Sequence, residues 1–165
     1  MGTLQTIFGT DDAAAKTIRL RSLRPVYERQ VIREGAPSYL TSTRFNSPSQ
    51  VHEVFSDLEN ETKEHFIALH LDGKNRVICF DRISVGSLNQ SIVHPREVFK
   101  GAMLSSAAAL ILIHNHPTGD TTPSREDLEI TKRLVAAGEL VGIRVLDHII
   151  IGASSYLSFV EKGLM

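Results

Sequence analysis

The chain has 165 residues, 42% hydrophobic and 22% charged, the make-up of one globular domain with a sizeable core. Its formal net charge of −1 offers no global attraction to nucleic acid or to an anionic membrane. A single cysteine, Cys79, excludes a disulfide framework within the chain.

The opening MGTLQTIFGTDD lacks a basic leader region and a long apolar core, so no secretory signal is expected. No apolar run reaches the roughly 18 residues of a membrane-spanning helix. The expectation is a soluble, cytoplasmic protein with no membrane partner. Residues 1–44 are assigned as an N-terminal extension. Within it, GTDDAAA has no periodic apolar face. Residues 17–24, TIRLRSLR, alternate apolar and basic, which predicts an amphipathic strand. From Lys16 to Glu34 six basic and two acidic residues give a local net of +4, suited to a solvated strand face or to phosphate contact. Residues 35–46 read as a loop.

Residues 45–165 are assigned as the main domain. Ser47-Pro48 predicts a helix start, with Ser47 as cap and Pro48 in the first helical position. Val51, Val54, Phe55 and Leu58 follow at helical spacing. HFIALHL (65–71), the turn DGKN (72–75) and RVICFDRISVG (76–86) predict a β-hairpin, with Cys79 as a buried, inert thiol. His94-Pro95 precedes a helix, REVFKGAMLS, with Val98, Ala102 and Met103 on one face. AAALILI (107–113) is apolar on both parities, as a strand covered on both sides must be. A helix is expected from Ser124 to Gly138, where the glycine marks its end. IRVLDHIIIG (143–152) predicts another buried strand. The final YLSFVEKGLM has no pattern that types it. The fold class that follows is α/β (α+β): a mixed, curved sheet flanked by helices on both faces.

The chemistry concentrates in LILIHNHPTGDTTPSREDL, residues 110–128. Residues i and i+2 of a strand point to one side, so His114 and His116 present both imidazoles together. The Pro117-Thr118-Gly119 turn redirects the chain, and the next helix returns Asp127 as an oxygen donor. Two His and one Asp leave a fourth position open on tetrahedral zinc, the mark of a catalytic site. Water bound there has its pKa lowered toward about 7. Ser124-x-x-Asp127 also reads as a capping box, which leaves the Ser124 hydroxyl as either a cap or a donor to an oxyanion. Asp147-His148 interrupts an apolar strand and reads as a satisfied core polar pair or as a carboxylate orienting a ligand His. His52, His65, His70 and His94 read as surface or structural residues.

His-x-His, seven intervening residues (PTGDTTP) and Ser-x-x-Asp resemble the JAMM motif of the MPN-domain metallopeptidases. The wording HNHPTGDTTPSREDLEITKRL, followed by LDHIIIG, is similar to the RadC-like branch of that family. The resemblance spans roughly residues 45–165 and implies a single MPN/JAB-like domain. It implies zinc on His114, His116 and Asp127, Ser124 at the tetrahedral intermediate, and an upstream Glu as general acid/base. Glu64, directly before HFIALHLD, fits that place, with Glu59 and Glu61 as local competitors. Asn115 stands where better-characterised members often carry Ser. The helix-hairpin-helix module frequent in RadC-like proteins does not fit the first 45 residues.

Two functions follow as expectations. One is a zinc metallopeptidase cleaving a peptide or isopeptide bond in a protein or peptide substrate. The other is a DNA-associated repair or binding factor whose metal site is structural or vestigial, supported by the Arg-rich strand. The contiguous HNH tripeptide does not indicate an HNH nuclease, which disperses those residues over a ββα unit. A zinc deaminase needs His-x-Glu and Cys-x-x-Cys, both missing from the sequence.

Overall fold

The computed structural model describes residues 21–31, 44–86 and 93–165. Its elements are α1 (Pro48–Phe55), β1 (His65–Leu71), β2 (Val77–Val85), α2 (Pro95–Leu104), β3 (Ala109–Asn115), α3 (Arg125–Val141), β4 (Arg144–Gly152) and β5 (Ser155–Ser158). They form an α+β domain around one five-stranded mixed sheet, ordered β2-β1-β3-β4-β5. Strands β3 and β4 are parallel, and every other neighbouring pair is antiparallel.

The expected alternation of strands and helices is borne out. Ser47 caps α1, its Oγ accepting the Gln50 N–H at 3.4 Å, with Pro48 in the first turn. Leu58 lies beyond that helix, buried from a short 3-10 turn at Ser56–Asn60. The β1–β2 hairpin closes on Asp72, whose Oδ1 accepts the Lys74 and Arg76 N–H groups at 2.8 and 2.9 Å. Those hydrogen bonds, with the Arg76 guanidinium, pull the Asp72 carboxyl down to about 2. Helix α2 buries Val98, Phe99 and Ala102. Met103, expected on that face, is 54% exposed, because the helix turns it outward. The untyped end contributes β5, which adds an antiparallel edge to β4.

Both faces of the sheet are covered. Phe66, Leu110 and Leu112 face α2 and α3, packing with Val98, Phe99 and Leu134. Ile67, Leu69, Ile111 and Ile149 face α1, packing with Val51 and Phe55. Strand β3 sits in the middle and is buried at every position, as its two-sided apolar pattern demands.

Two further expectations need correction. Arg21–Arg24 belong to no strand; residues 21–31 run exposed without regular structure, and residues 17–20 and 35–43 lie outside the described residues. Gly138 does not end α3. The stop is Gly142, left-handed at φ 74°, a conformation glycine adopts without steric penalty. Gly138 instead lets the helix touch its own exit: its carbonyl accepts the Ile143 N–H at 2.9 Å. A Cβ there would collide with Ile143 O and lie 3.3 Å from Phe99 Cζ. Gly138→Ala is therefore expected to lower the unfolding free energy by about 1–3 kcal/mol despite alanine's better helix propensity. Urea denaturation measures it, and an unchanged or raised midpoint contradicts the close approach.

Candidate metal centre

His114 stands at the end of the buried β3 strand, with no exposed surface. It pairs with Phe66 on β1, and the two rings stack with centroids 6.1 Å apart. His116 follows one residue past the strand, and its N–H donates to Ile151 O at 2.9 Å. The chain then reverses. Gly119 adopts φ 81°, and its carbonyl accepts the Ala153 N–H at 3.0 Å, which pins the turn to the end of β4.

The two imidazoles share a side, as the i, i+2 spacing requires, with Nε2 atoms 3.0 Å apart. Asp127 comes back from the first turn of α3. Its Oδ1 lies 3.3 Å from His114 Nε2, and its Oδ2 lies 3.4 Å from His116 Nε2. Among the described residues, these three bring one ligand atom each within 4.8 Å of one another. Two imidazole nitrogens and a carboxylate oxygen suit a divalent cation. The protonation pattern fits too. His116 Nδ1 lies 2.6 Å from Asp120 O, and a carbonyl only accepts, so the Nδ1–H is donated. With Nδ1 so committed, Nε2 faces the carboxylate, where a second proton or a bound cation satisfies both.

The capping box also forms, so Asp127 belongs to both arrangements. Ser124 Oγ accepts the Asp127 N–H at 3.1 Å. The Ser124 N–H and O–H both donate to Asp127 Oδ2, at 2.8 and 2.7 Å. Burial opposes ionisation of Asp127, but hydrogen bonds from His116 and Ser124 outweigh it and hold the carboxyl far below its usual range. Burial lowers the His114 pKa, whereas the hydrogen bond to Asp127 raises that of the more exposed His116.

Glu64 sits immediately before β1, on the parity of Phe66, and its carbonyl accepts the Gly86 N–H at 2.8 Å. Its charge favours protonation of both His114 and His116. The competitors are engaged elsewhere. Glu61 lies 3.5 Å from His65 Nε2, and Glu59 accepts the Ser154 N–H at 2.7 Å.

Three buried residues around the site were not singled out by sequence reasoning for the parts they take. Asn115 accepts the His65 N–H at 2.8 Å and donates from Nδ2 to Lys63 O at 3.1 Å. It thereby clamps the backbone on both sides of Glu64. His148 brings Nε2 to 2.8 Å from His114 Nδ1, and Thr131 on α3 meets the other nitrogen of His148. The polar interruption of an apolar strand was the available signal for His148. Its neighbour Asp147 orients no ligand; its carboxylate accepts the His148 and Val160 N–H groups and the Ser158 hydroxyl, tying β4 to the chain's end. Of the remaining histidines, His94 caps α2, His52 packs on Tyr156, and His65 and His70 are buried.

A family model described as the RadC-like JAB domain matches residues 45–164. The chain is similar to a "UPF0758 protein" of Geotalea uraniireducens, 61% identical over 134 residues, covering 81% of this chain and 59% of the relative. A "UPF0758 protein" of Pelobacter propionicus is 63% identical over 123 residues, 74% of this chain and 54% of the relative. One from Methanosarcina mazei is 48% identical, with the same coverage, 74% and 54%. The chain thus spans little more than half the length of these curated relatives.

Removing the Asn115 amide leaves a buried N–H and a carbonyl without partners. Asn115→Ala is expected to destabilise the domain by about 1–3 kcal/mol, with faster hydrogen exchange at the His65 amide. Wild-type exchange at that amide would show that the clamp is not formed.

Proposed function

This chain belongs to the RadC-like JAB domain family, and we propose that it is a zinc-dependent hydrolase of peptide or isopeptide bonds. The observation that carries the reading is the convergence of His114 Nε2, His116 Nε2 and the Asp127 carboxylate beside Glu64. A three-ligand set of this kind keeps a coordination position open for chemistry. Zinc, when bound, supplies a Lewis acid for the scissile carbonyl and for the attacking water.

The protein's own groups supply the rest. Glu64 removes the proton of the attacking water and delivers it to the leaving amine. Its backbone is clamped by Asn115 and tied to Gly86, so the carboxylate starts from a defined place. Ser124 donates to the developing oxyanion. Its hydroxyl proton rests on Asp127 Oδ2, from which it would turn to the oxyanion. The buried β3 strand behind His114 keeps water off the far side of the site.

Metal content and cleavage of a peptide library and a lysine-branched isopeptide test the reading together. Glu64→Gln is expected to keep zinc and lose roughly 10²–10⁴-fold in hydrolysis. His114→Ala is expected to lose zinc as well. Undiminished zinc in His114→Ala would sink the site, and full activity in Glu64→Gln would remove Glu64 from its role. Absent cleavage, combined with salt-sensitive duplex DNA binding that Arg21 and Arg24 substitutions abolish, would favour a DNA-associated factor instead.

A further inference from the structure

We infer that Thr131 and His148 are positioning residues that fix the tautomer of His114 and so prepare its Nε2 as a metal ligand. The inference rests on the metal-site reading above and follows from counting protons along one chain of contacts.

The Thr131 hydroxyl has one proton. Asp127 O, one turn back on α3, lies 2.6 Å from Thr131 Oγ1 and only accepts, so that proton is committed there. Thr131 Oγ1 also meets His148 Nδ1, at 2.5 Å. With its own proton used, the oxygen accepts, and His148 carries its proton on Nδ1. His148 is fully buried between Phe66 and Phe159, whose ring stacks on it with centroids 4.7 Å apart. A neutral imidazole protonated on Nδ1 has a bare Nε2. That atom lies 2.8 Å from His114 Nδ1, which must therefore donate. His114 is left with a bare Nε2, the atom 3.3 Å from Asp127 Oδ1.

The direction of every bond thus descends from one backbone carbonyl. The chain of contacts begins at the Asp127 carbonyl and ends with His114 Nε2 facing the Asp127 carboxylate, two acceptors that a cation would join. His116 has its Nδ1 proton fixed independently, through Asp120 O, which leaves Nε2 as its metal-binding nitrogen. Once a cation replaces the proton on His116 Nε2, both imidazoles point lone pairs at one spot without drawing on solvent to choose the tautomer. An imidazole whose second nitrogen is held in this way is oriented and made more basic toward a metal.

Thr131→Val and Thr131→Ser separate this role from packing. Valine keeps the shape and removes the hydroxyl; serine keeps the hydroxyl and removes a methyl. The measurements are zinc affinity by chelator competition and imidazole tautomers by long-range ¹⁵N–¹H NMR, both on the full chain. The metal-free wild type is expected to show His148 and His114 protonated on Nδ1. Thr131→Val is expected to bind zinc about 10–100-fold more weakly and to lose the pure His148 Nδ1–H tautomer. Thr131→Ser is expected to keep the tautomer and bind close to wild type. The opposite ranking, or a wild-type His148 protonated on Nε2, would overturn the inference, as would a wild-type chain that takes up no zinc. Neither readout uses hydrolysis. The predicted ranking in a protein that cleaves no amide would support this inference and count against the hydrolase reading.

Discussion

The carboxylate of Asp127 is the group on which the site's geometry turns. A buried carboxylate is stable only when hydrogen bonds and opposite partial charges replace its hydration. Here the first turn of α3 supplies one half, through the Ser124 N–H and O–H and the positive end of the helix dipole. His116, whose pKa that contact raises, supplies the other half from a protonated Nε2, a place that a cation shared with His114 would take. Helix α3 therefore meets strand β3 at a fixed depth and rotation. A capping box and a metal-ligand set draw on one side chain. They coexist because a carboxylate has two oxygens and several lone pairs, and the cap occupies only one oxygen.

Topology explains why the other groups arrive at the same place. Strands β3 and β4 are parallel, so the chain must return through a crossover, and α3 is that crossover. The crossover begins at the C-terminal end of β3, where His114 and His116 lie. Strand β1 runs antiparallel to β3, so its N-terminal end lies at the same edge and carries Glu64. One strand end, one strand start and one helix start meet at a single point. Ligand sites of open α/β sheets recur at the carboxyl ends of parallel strands for this reason.

Much of this was legible in the sequence because the relevant interactions are local. The i, i+2 spacing of His114 and His116 places both rings on one side of any strand. Ser-Arg-Glu-Asp before an apolar-periodic run marks a helix start wherever it packs. Residues that act across the fold were harder to read. His148 lies 34 positions from His114, and only the parallel register of β4 against β3 brings them together. That register carries an irregularity between Leu110 and Ile111, so counting along the strand would not have predicted the pairing. In the sequence Asn115 is only a departure from a pattern, since its partners lie across the β1–β3 contact at Lys63 and His65. Gly138 looked like a helix stop because close approach and C-capping leave the same letter in the sequence.

His114, Asn115 and His148 are all fully buried in the sheet, yet each finds partners. Buried polar networks are stable only when complete, since an unpaired member bears its whole desolvation penalty. Completeness has a second consequence here. Had the far side of His114 faced water, the two neutral tautomers would have exchanged freely, and part of the population would have carried a proton on the nitrogen that must hold metal. Enclosing that side in Phe66, His148 and Phe159 removes the water and leaves one donor–acceptor pattern. The apolar density of β3 and β4 is therefore more than a core. It makes the protonation state of the site a property of the fold, set by Thr131 and a helix carbonyl rather than by solvent.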